Sequence, residues 1–198
     1  LPERADGMEC YFGVELNFTG PDEDFAFSEQ IRDEHGFQFA IGGIHKTYLE
    51  SYDLPELVAV QQRHHLNTCR HPLVEVLVHP YWFWKGEFDQ GGWPWFDSMS
   101  AVSREMAQEL GETARLTGTA IEINASAIFA NPAYSDRFKK EYKQYLRLIA
   151  QAGAQFSVAS DAHDISHLKH VKLAWEVARE LDLGEDQSSD LLRIRDVL

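Results

Sequence analysis

The sequence has few cysteines, no long apolar run and no excess of basic residues, and each shortage argues against a class of protein. Two cysteines among 198 residues, Cys10 and Cys69, cannot form a disulfide scaffold, so a reducing, cytoplasmic location is expected. No stretch approaches the roughly 20 apolar residues of a membrane span, so we expect no membrane partner. Lys and Arg total 18 against 32 Asp and Glu, and this net charge of −14 disfavours nucleic acid as a partner.

Short apolar runs alternate with helix-like segments along the chain. Each run is rich in Val, Ile or Phe and ends in polar residues, which is typical of strands buried on both faces of a parallel sheet. Strands are predicted over residues 10–16, 38–45, 74–80, 119–125 and 155–161. Helices are predicted over residues 54–68, 98–116, 135–152, 166–182 and 186–197. Two of these helices have an apolar stripe on one face, formed by Phe138, Tyr142, Tyr145 and Ile149 in the helix 135–152 and by Leu168, Val171, Trp175, Ala178 and Leu181 in the helix 166–182. The pattern predicts one α/β domain over residues 1–198 with a parallel sheet, and leaves open whether that sheet closes into a barrel.

Two predicted connections, residues 17–37 and 81–97, are long for a compact domain. The second holds four of the five tryptophans. This segment has two interpretations. It is either a hydrophobic plug over the end of the sheet or a flap that shapes a substrate pocket, where Lys85 would contact a phosphate.

Carboxylate or imidazole side chains stand at the ends of four of the five predicted strands. They are Glu15, His45, His79 and the pair Asp161 and His163. Because the carboxyl ends of parallel strands lie on one face of an α/β fold, we expect these side chains to converge. Singly, Asp161 is interpreted as a helix cap and Glu15 as an ion-pair partner. Jointly, the five side chains are a donor set for Zn, Mn or Fe.

The five remaining histidines that follow His45 are assigned to other roles. His64, His65 and His71 lie in or just after a predicted helix and are interpreted as surface or packing residues. His167 and His170 follow the Asp-Ala-His sequence closely, and a solvated helix start is the favoured interpretation for His167.

The segments GVELNF, IGGIHKTY, VLVHPYW, AIEINAS and VASDAHD, in this order, resemble the motifs of the PHP (polymerase and histidinol phosphatase) superfamily of metal-dependent phosphoesterases. The resemblance implies a distorted (β/α)7 barrel with two or three divalent ions, Zn, Mn or Fe, at its C-terminal face. It assigns Glu15 as a bridging carboxylate and His45 and His79 as ligands, with Asp161 and His163 closing the site.

The same resemblance implies hydrolysis of a small phosphate monoester, as in histidinol phosphatases, by a metal-activated water. His163 and Asp161 would carry the catalytic roles, with His163 or a nearby histidine protonating the leaving alkoxide. Two alternatives stay open. One is a non-catalytic or impaired metal-binding scaffold, and the other is metal-dependent hydrolysis of a non-phosphate bond.

The sequence departs from the family pattern at its start. It contains no His-x-His, and no histidine precedes His35. By count of elements, the first two strand–helix units of the barrel are absent. Together with the Leu1 start, this leads us to expect either a missing N-terminal segment or self-association that covers the free sheet edges.

Overall fold

Five parallel strands form one sheet in the computed structural model, which describes residues 11–20, 25–181 and 183. The strands are β1 (Gly13–Asn17), β2 (Phe39–Gly43), β3 (Val76–Leu77), β4 (Ala120–Asn124) and β5 (Phe156–Ala159). They pair in the order β1-β2-β3-β4-β5, so each strand lies beside its predecessor in the sequence. A doubly wound sheet reverses its strand order at a switch point. The described sheet has no such reversal, and its consecutive order is that of a barrel-like α/β fold.

The predicted strands are confirmed, although each is shorter than its apolar run. β3 shortens most, because the backbone at His79 takes a φ of 27° and leaves the extended conformation. β4 is buried at every position. The middle of the sheet is therefore covered on both faces, as the apolar runs predict.

Helices connect the strands and cover the sheet. They are α1 (Glu29–His35), α2 (Leu54–Arg70), α3 (Lys85–Gly91), α4 (Arg104–Thr117), α5 (Asp136–Gln151) and α6 (Val171–Glu180). Ser28, Asp53 and Ser135 begin three of them by accepting hydrogen bonds from backbone N–H groups of the first turn. α1 and α3 lie inside the two long connections, so both connections contain ordered structure.

The predicted helix over residues 98–116 is divided in two. A 3₁₀ turn, Met99–Ala101, precedes α4, and the two are separated by extended backbone at Ser103. The Ser103 hydroxyl accepts a hydrogen bond from the Met106 N–H at 3.2 Å and caps α4. A serine that bonds to the backbone ahead of it competes with continued helix, and this moves the start of α4 to Arg104.

The predicted helix over residues 166–182 also begins with a 3₁₀ turn, Ile165–His170, and α6 follows. The expected apolar stripe is confirmed at Ala178 and Leu181, which are buried, and is wrong at Leu168 and Trp175, which are 56% and 47% exposed. A 3₁₀ turn advances by 3.0 residues, whereas an α-helix advances by 3.6, so the two segments do not share one stripe. Within α6, Ala174, Val177 and Ala178 are buried, and Trp175 lies outside this buried set.

The hydrophobic core lies between the sheet and helices α2, α4, α5 and α6. The predicted apolar stripe of α5 is confirmed, since Phe138, Tyr142, Tyr145 and Ile149 are all buried. His64 and His65 are fully buried packing residues of α2, in agreement with their assignment.

Cys69 is a free, buried thiol. Within the described ranges, no helix combines the length and the hydropathy needed to cross a membrane. The predicted helix 186–197 and Cys10 lie outside the described residues.

Candidate metal centre

Three of the five predicted site residues meet at the carboxyl end of the sheet. Glu15 lies in β1, while His45 and His79 each stand two residues beyond the end of β2 and β3. One ligand atom of each residue lies within 4.8 Å of the other two. The Nε2 atoms of His45 and His79 are 3.0 and 3.4 Å from the same Glu15 Oε1. Glu15 lies in the middle of β1, level with Ile41 and Val76, so the backbone beyond β2 and β3 brings the two imidazoles back to it.

The group is closed beneath His79 and open beside Glu15. The His79 side chain is 6% exposed, whereas the side chains of His45 and Glu15 are 29% and 40% exposed. The site is therefore closed to solvent at His79 and open to solvent at His45 and Glu15. A small molecule can reach them from that open side.

The pKa values of Glu15 and His79 are shifted in the directions expected of an ion pair. Hydrogen bonds from His45 and then His79 hold the pKa of the Glu15 carboxyl well below its usual range. Burial disfavours a charged His79, but the hydrogen bond to Glu15 and the charges of Glu122, Glu15 and Asp161 outweigh that cost and raise the pKa of His79. The site therefore stabilises positive charge, which is the electrostatic condition for binding a cation.

Asp161 and His163 form a pair beside this group. Asp161 stands two residues beyond β5, and its charge acts on both His79 and Glu122. Its Oδ1 lies 3.3 Å from the His163 Nε2. The His163 side chain is 88% exposed, so it faces solvent at the rim of the site. The structure thus brings Asp161 electrostatically close to the three ligands, with His163 outside them.

The helix cap near this pair is Asp164. Its carboxylate accepts a hydrogen bond from the Ser166 N–H at 2.8 Å. Asp161 has a φ of 50°, a conformation that residues other than glycine adopt rarely. The capping interpretation therefore applies to Asp164, and Asp161 is left available to the site.

Glu122 is a buried carboxylate near the site that is not among the predicted site residues. It is 5% exposed in β4, and its Oε2 accepts hydrogen bonds from the His79 N–H at 2.8 Å and the Asn124 Nδ2 at 3.0 Å. Burial raises the pKa of Glu122, against the attraction of His79. The sequence signal for Glu122 is its position in the middle of the apolar run AIEIN. A carboxylate is seldom buried in a strand unless it has a partner.

Trp82 covers one side of the histidines. Its ring centroid is 5.8 Å from that of His45 and 5.1 Å from that of His79. An indole at this distance limits the access of water to the two imidazoles. Trp82 therefore belongs to the site, and only the general position of the tryptophan-rich segment indicated this in the sequence.

The rest of the tryptophan-rich segment is fastened to the body of the protein. Glu87 of α3 accepts hydrogen bonds from the N–H and the hydroxyl of buried Thr47, at 3.2 and 2.8 Å. Phe83 and Phe88 are fully or almost fully buried in the main core. The segment therefore packs as a hydrophobic cover, and Trp82 is the part of it that lines the site.

Lys85 is engaged away from the ligands. Its ammonium group lies 2.6 Å from the Asp89 carboxylate and 5.4 Å from the centroid of the Trp95 ring. These contacts give the charge two partners within its own segment. They do not support the phosphate contact expected of Lys85.

The donor set of Glu15, His45 and His79 fits a divalent transition metal. Two neutral imidazoles and one carboxylate are ligands that Zn, Mn and Fe accept, and three protein ligands leave positions for water or substrate. Both histidines turn Nε2 toward the carboxylate, while their Nδ1 atoms are buried without a hydrogen-bond partner among the described residues. The three residues present can therefore hold a metal ion.

No protein-family model matches the chain, and neither does the sequence of any curated protein. Among solved structures, the fold is similar to that of histidinol phosphate phosphatase from Lactococcus lactis subsp. lactis, which was determined with zinc, L-histidinol and phosphate. The TM-score is 0.56 at 14% sequence identity, and the match covers 90% of this chain and 86% of the phosphatase. At this identity the similarity establishes a shared fold.

Proposed function

We propose that this protein is a metal-dependent hydrolase that cleaves the phosphate monoester of a small molecule. The observation that carries the proposal is the convergence of Glu15, which lies in β1, with His45 and His79, which follow the adjacent strands β2 and β3. The fold is shared with a histidinol phosphate phosphatase whose structure contains zinc, L-histidinol and phosphate. This similarity favours a substrate of the same kind as histidinol phosphate.

In this proposal the chain belongs to the PHP superfamily. Residues 1–198 supply one domain made of the five C-terminal units of a distorted (β/α)7 barrel. β1 and β5 stand at the two ends of the described sheet. An unpaired strand edge favours association with another chain, so self-association is part of the proposal. Light scattering on the purified protein measures the assembly.

Five residues would hold two or three divalent ions, Zn, Mn or Fe. Glu15 would bridge them, His45 and His79 would bind from the next two strands, and Asp161 and His163 would close the site. When bound, such ions acidify water and neutralise the charge of a phosphoryl group. Trp82 would limit water access on the side of the imidazoles.

Asp161 and His163 would also carry the proton transfer. In phosphate ester hydrolysis water adds to phosphorus, the bond to the ester oxygen breaks, and the leaving alkoxide takes up a proton. His163 can donate that proton from its exposed position, and Asp161, 3.3 Å away, orients the imidazole.

Metal content and turnover test the proposal together. Protein purified without chelator is expected to contain two or three equivalents of metal by plasma mass spectrometry and to release phosphate from histidinol phosphate. Glu15→Gln is expected to lose bound metal, because an amide is a far weaker ligand than a carboxylate. Less than about half an equivalent in the wild-type protein would contradict the proposal, since the chemistry needs at least one ion.

His163→Gln tests the catalytic role proposed for His163. We expect turnover to fall by about 100-fold or more, the usual contribution of general acid catalysis. His167→Gln is the matched control, since His167 is an exposed imidazole of the next turn that stacks on His170. Equal turnover in the two variants would remove His163 from the mechanism.

One observation favours a second candidate, a metal-binding domain without catalysis. Glu15, His45 and His79 form a compact group, whereas His163 is 88% exposed and stands outside that group. A domain of this kind would bind about one equivalent of metal, through the three residues alone, and would hydrolyse no phosphomonoester.

Hydrolysis of a non-phosphate bond is a third candidate, favoured by the positions of two cations. Lys85 is paired with Asp89, and Arg137 is exposed and paired with Glu141. Both cations are therefore paired with carboxylates of their own helices. Turnover of lactone or amide substrates, with none of phosphomonoesters, would support this candidate.

A further inference from the structure

The segment His79–Phe83, which carries a candidate ligand and the tryptophan beside it, has an unfavourable backbone conformation. His79 and Tyr81 have φ values of 27° and 58°. Side chains with a β-carbon crowd the backbone in this region, so such residues persist only where the surroundings impose them. Something outside the segment must therefore hold it.

Buried side chains from elsewhere in the chain hold the segment at four of its five residues. The contacts are the His79 N–H to Glu122 Oε2 at 2.8 Å, the Tyr142 hydroxyl to the Pro80 carbonyl at 2.8 Å, the Tyr81 N–H to His65 Nε2 at 3.4 Å and the Phe83 N–H to the Tyr134 hydroxyl at 2.9 Å. All four bonds are buried. We call Glu122, Tyr142, His65 and Tyr134 the brace.

We propose that the brace positions His79 and Trp82, and that Tyr142 is a positioning residue of the metal centre although it is no ligand. This inference rests on the proposed function in one respect, that His79 binds metal. Tyr142 lies in α5, is fully buried, and its hydroxyl donates a hydrogen bond to the Pro80 carbonyl. The Pro80 carbonyl belongs to the peptide that joins Pro80 to Tyr81, so the bond from Tyr142 limits the rotation of a peptide that lies between His79 and Trp82 in the chain.

Tyr145 provides a matched control on the same helix. It lies about one turn after Tyr142 and is 4% exposed, and its buried hydroxyl has no hydrogen-bond partner in the part of the chain that the structure describes. Tyr142→Phe and Tyr145→Phe remove the same atom from two buried tyrosines. Only the first substitution breaks a bond to the segment.

The experiment compares the full-length wild-type chain with these two variants by hydrogen exchange and by cobalt binding. In metal-free protein, the peptide that covers residues 79–83 is expected to exchange about fivefold faster in Tyr142→Phe, as the loss of one hydrogen bond implies, and at the wild-type rate in Tyr145→Phe. The affinity for Co²⁺, followed by its visible absorption, is expected to fall about tenfold or more in Tyr142→Phe alone, as for other residues that orient a ligand.

Each outcome decides the inference. Equal exchange and equal Co²⁺ affinity in the two variants would overturn it, and so would faster exchange with unchanged affinity, because Tyr142 would then only stabilise the fold. If the wild-type protein binds no Co²⁺, the proposed function fails, and the exchange comparison alone decides whether the hydroxyl holds the segment. If Tyr142→Phe does not fold, Tyr134→Phe replaces it, since that variant breaks the bond to the Phe83 N–H, and the same comparisons apply.

Discussion

His65 is a buried imidazole that should make the fold less stable as the pH falls below neutrality. Its side chain is inaccessible to solvent, and burial, with the charges of His64 and His79, lowers the pKa of His65 from 6.5 to about 3. Between these two values the unfolded chain binds a proton that the folded chain does not. Stability is therefore complete above the unfolded pKa and is lost as the pH falls from 6.5 toward 3.

The size of the effect follows from the two pKa values. Linkage for one such group gives a loss of about 2 kcal/mol of unfolding free energy between pH 7.5 and pH 5.0. His65→Gln removes the titration and leaves a side-chain oxygen that can accept the hydrogen bond of the Tyr81 N–H. We expect the variant to be less stable at pH 7.5, because it loses the ring contact with Tyr81, but to lose about 2 kcal/mol less than the wild type on acidification.

Urea unfolding at both pH values, followed by tryptophan fluorescence, measures the difference. Tyr145→Phe is the control, since it alters the same core without removing a group that titrates in this range. It should retain the wild-type pH dependence. The same decrease in stability in His65→Gln and in the wild type would refute the reasoning, because the proton taken up on unfolding would then belong to another group.

Two further predictions concern groups buried away from the candidate site. The Tyr145 hydroxyl is buried and has no hydrogen-bond partner among the described residues, so Tyr145→Phe is expected to raise the unfolding free energy by about 1 kcal/mol. Calorimetry should show a melting temperature higher by about 2–4 °C. A destabilised variant would contradict this. Cys69 is 1% exposed, and burial raises the pKa of its thiol to about 12. In a Cys10→Ser variant, a thiol reagent should therefore label Cys69 only after denaturation. Rapid labelling of the native protein would contradict its burial.

The order and type of the elements could be predicted because they depend on local patterns. Apolar runs of strand length and the stripe of α5 are visible without any tertiary information. The ends of elements were less predictable. Ser103 and the 3₁₀ turn before α6 altered two helices, because a single hydroxyl or a change of helix type decides a boundary and leaves the hydrophobic pattern almost unchanged.

The proximity of His45 and His79 was predictable for a topological reason. In a parallel sheet with consecutive strand order, residues just beyond successive strands are neighbours. Glu15 lies within β1, level with Ile41 and Val76, so its contact with the two imidazoles depends on the backbone beyond β2 and β3 and not on strand order alone. The sequence also placed His163 with them, but the structure places it at the solvent-exposed rim. The backbone after β5, with its left-handed Asp161, decides where His163 lies, and no local pattern encodes that turn.

The side chains that shape the site were not predictable, because their contacts span long distances in the sequence. Tyr142 lies 62 residues after Pro80 and Glu122 lies 43 residues after His79. In the sequence Tyr142 is one member of the apolar stripe of α5, and in the structure its ring packs in the core. Tyr145 shares both properties, and the two residues differ in the hydrogen bonding of their hydroxyls. Strand order thus brings the segments that carry the candidate ligands together, whereas the backbone beyond the strands and the packing around it determine how the side chains are held. Positions such as Tyr142 are therefore where substitutions should alter metal binding without touching a ligand.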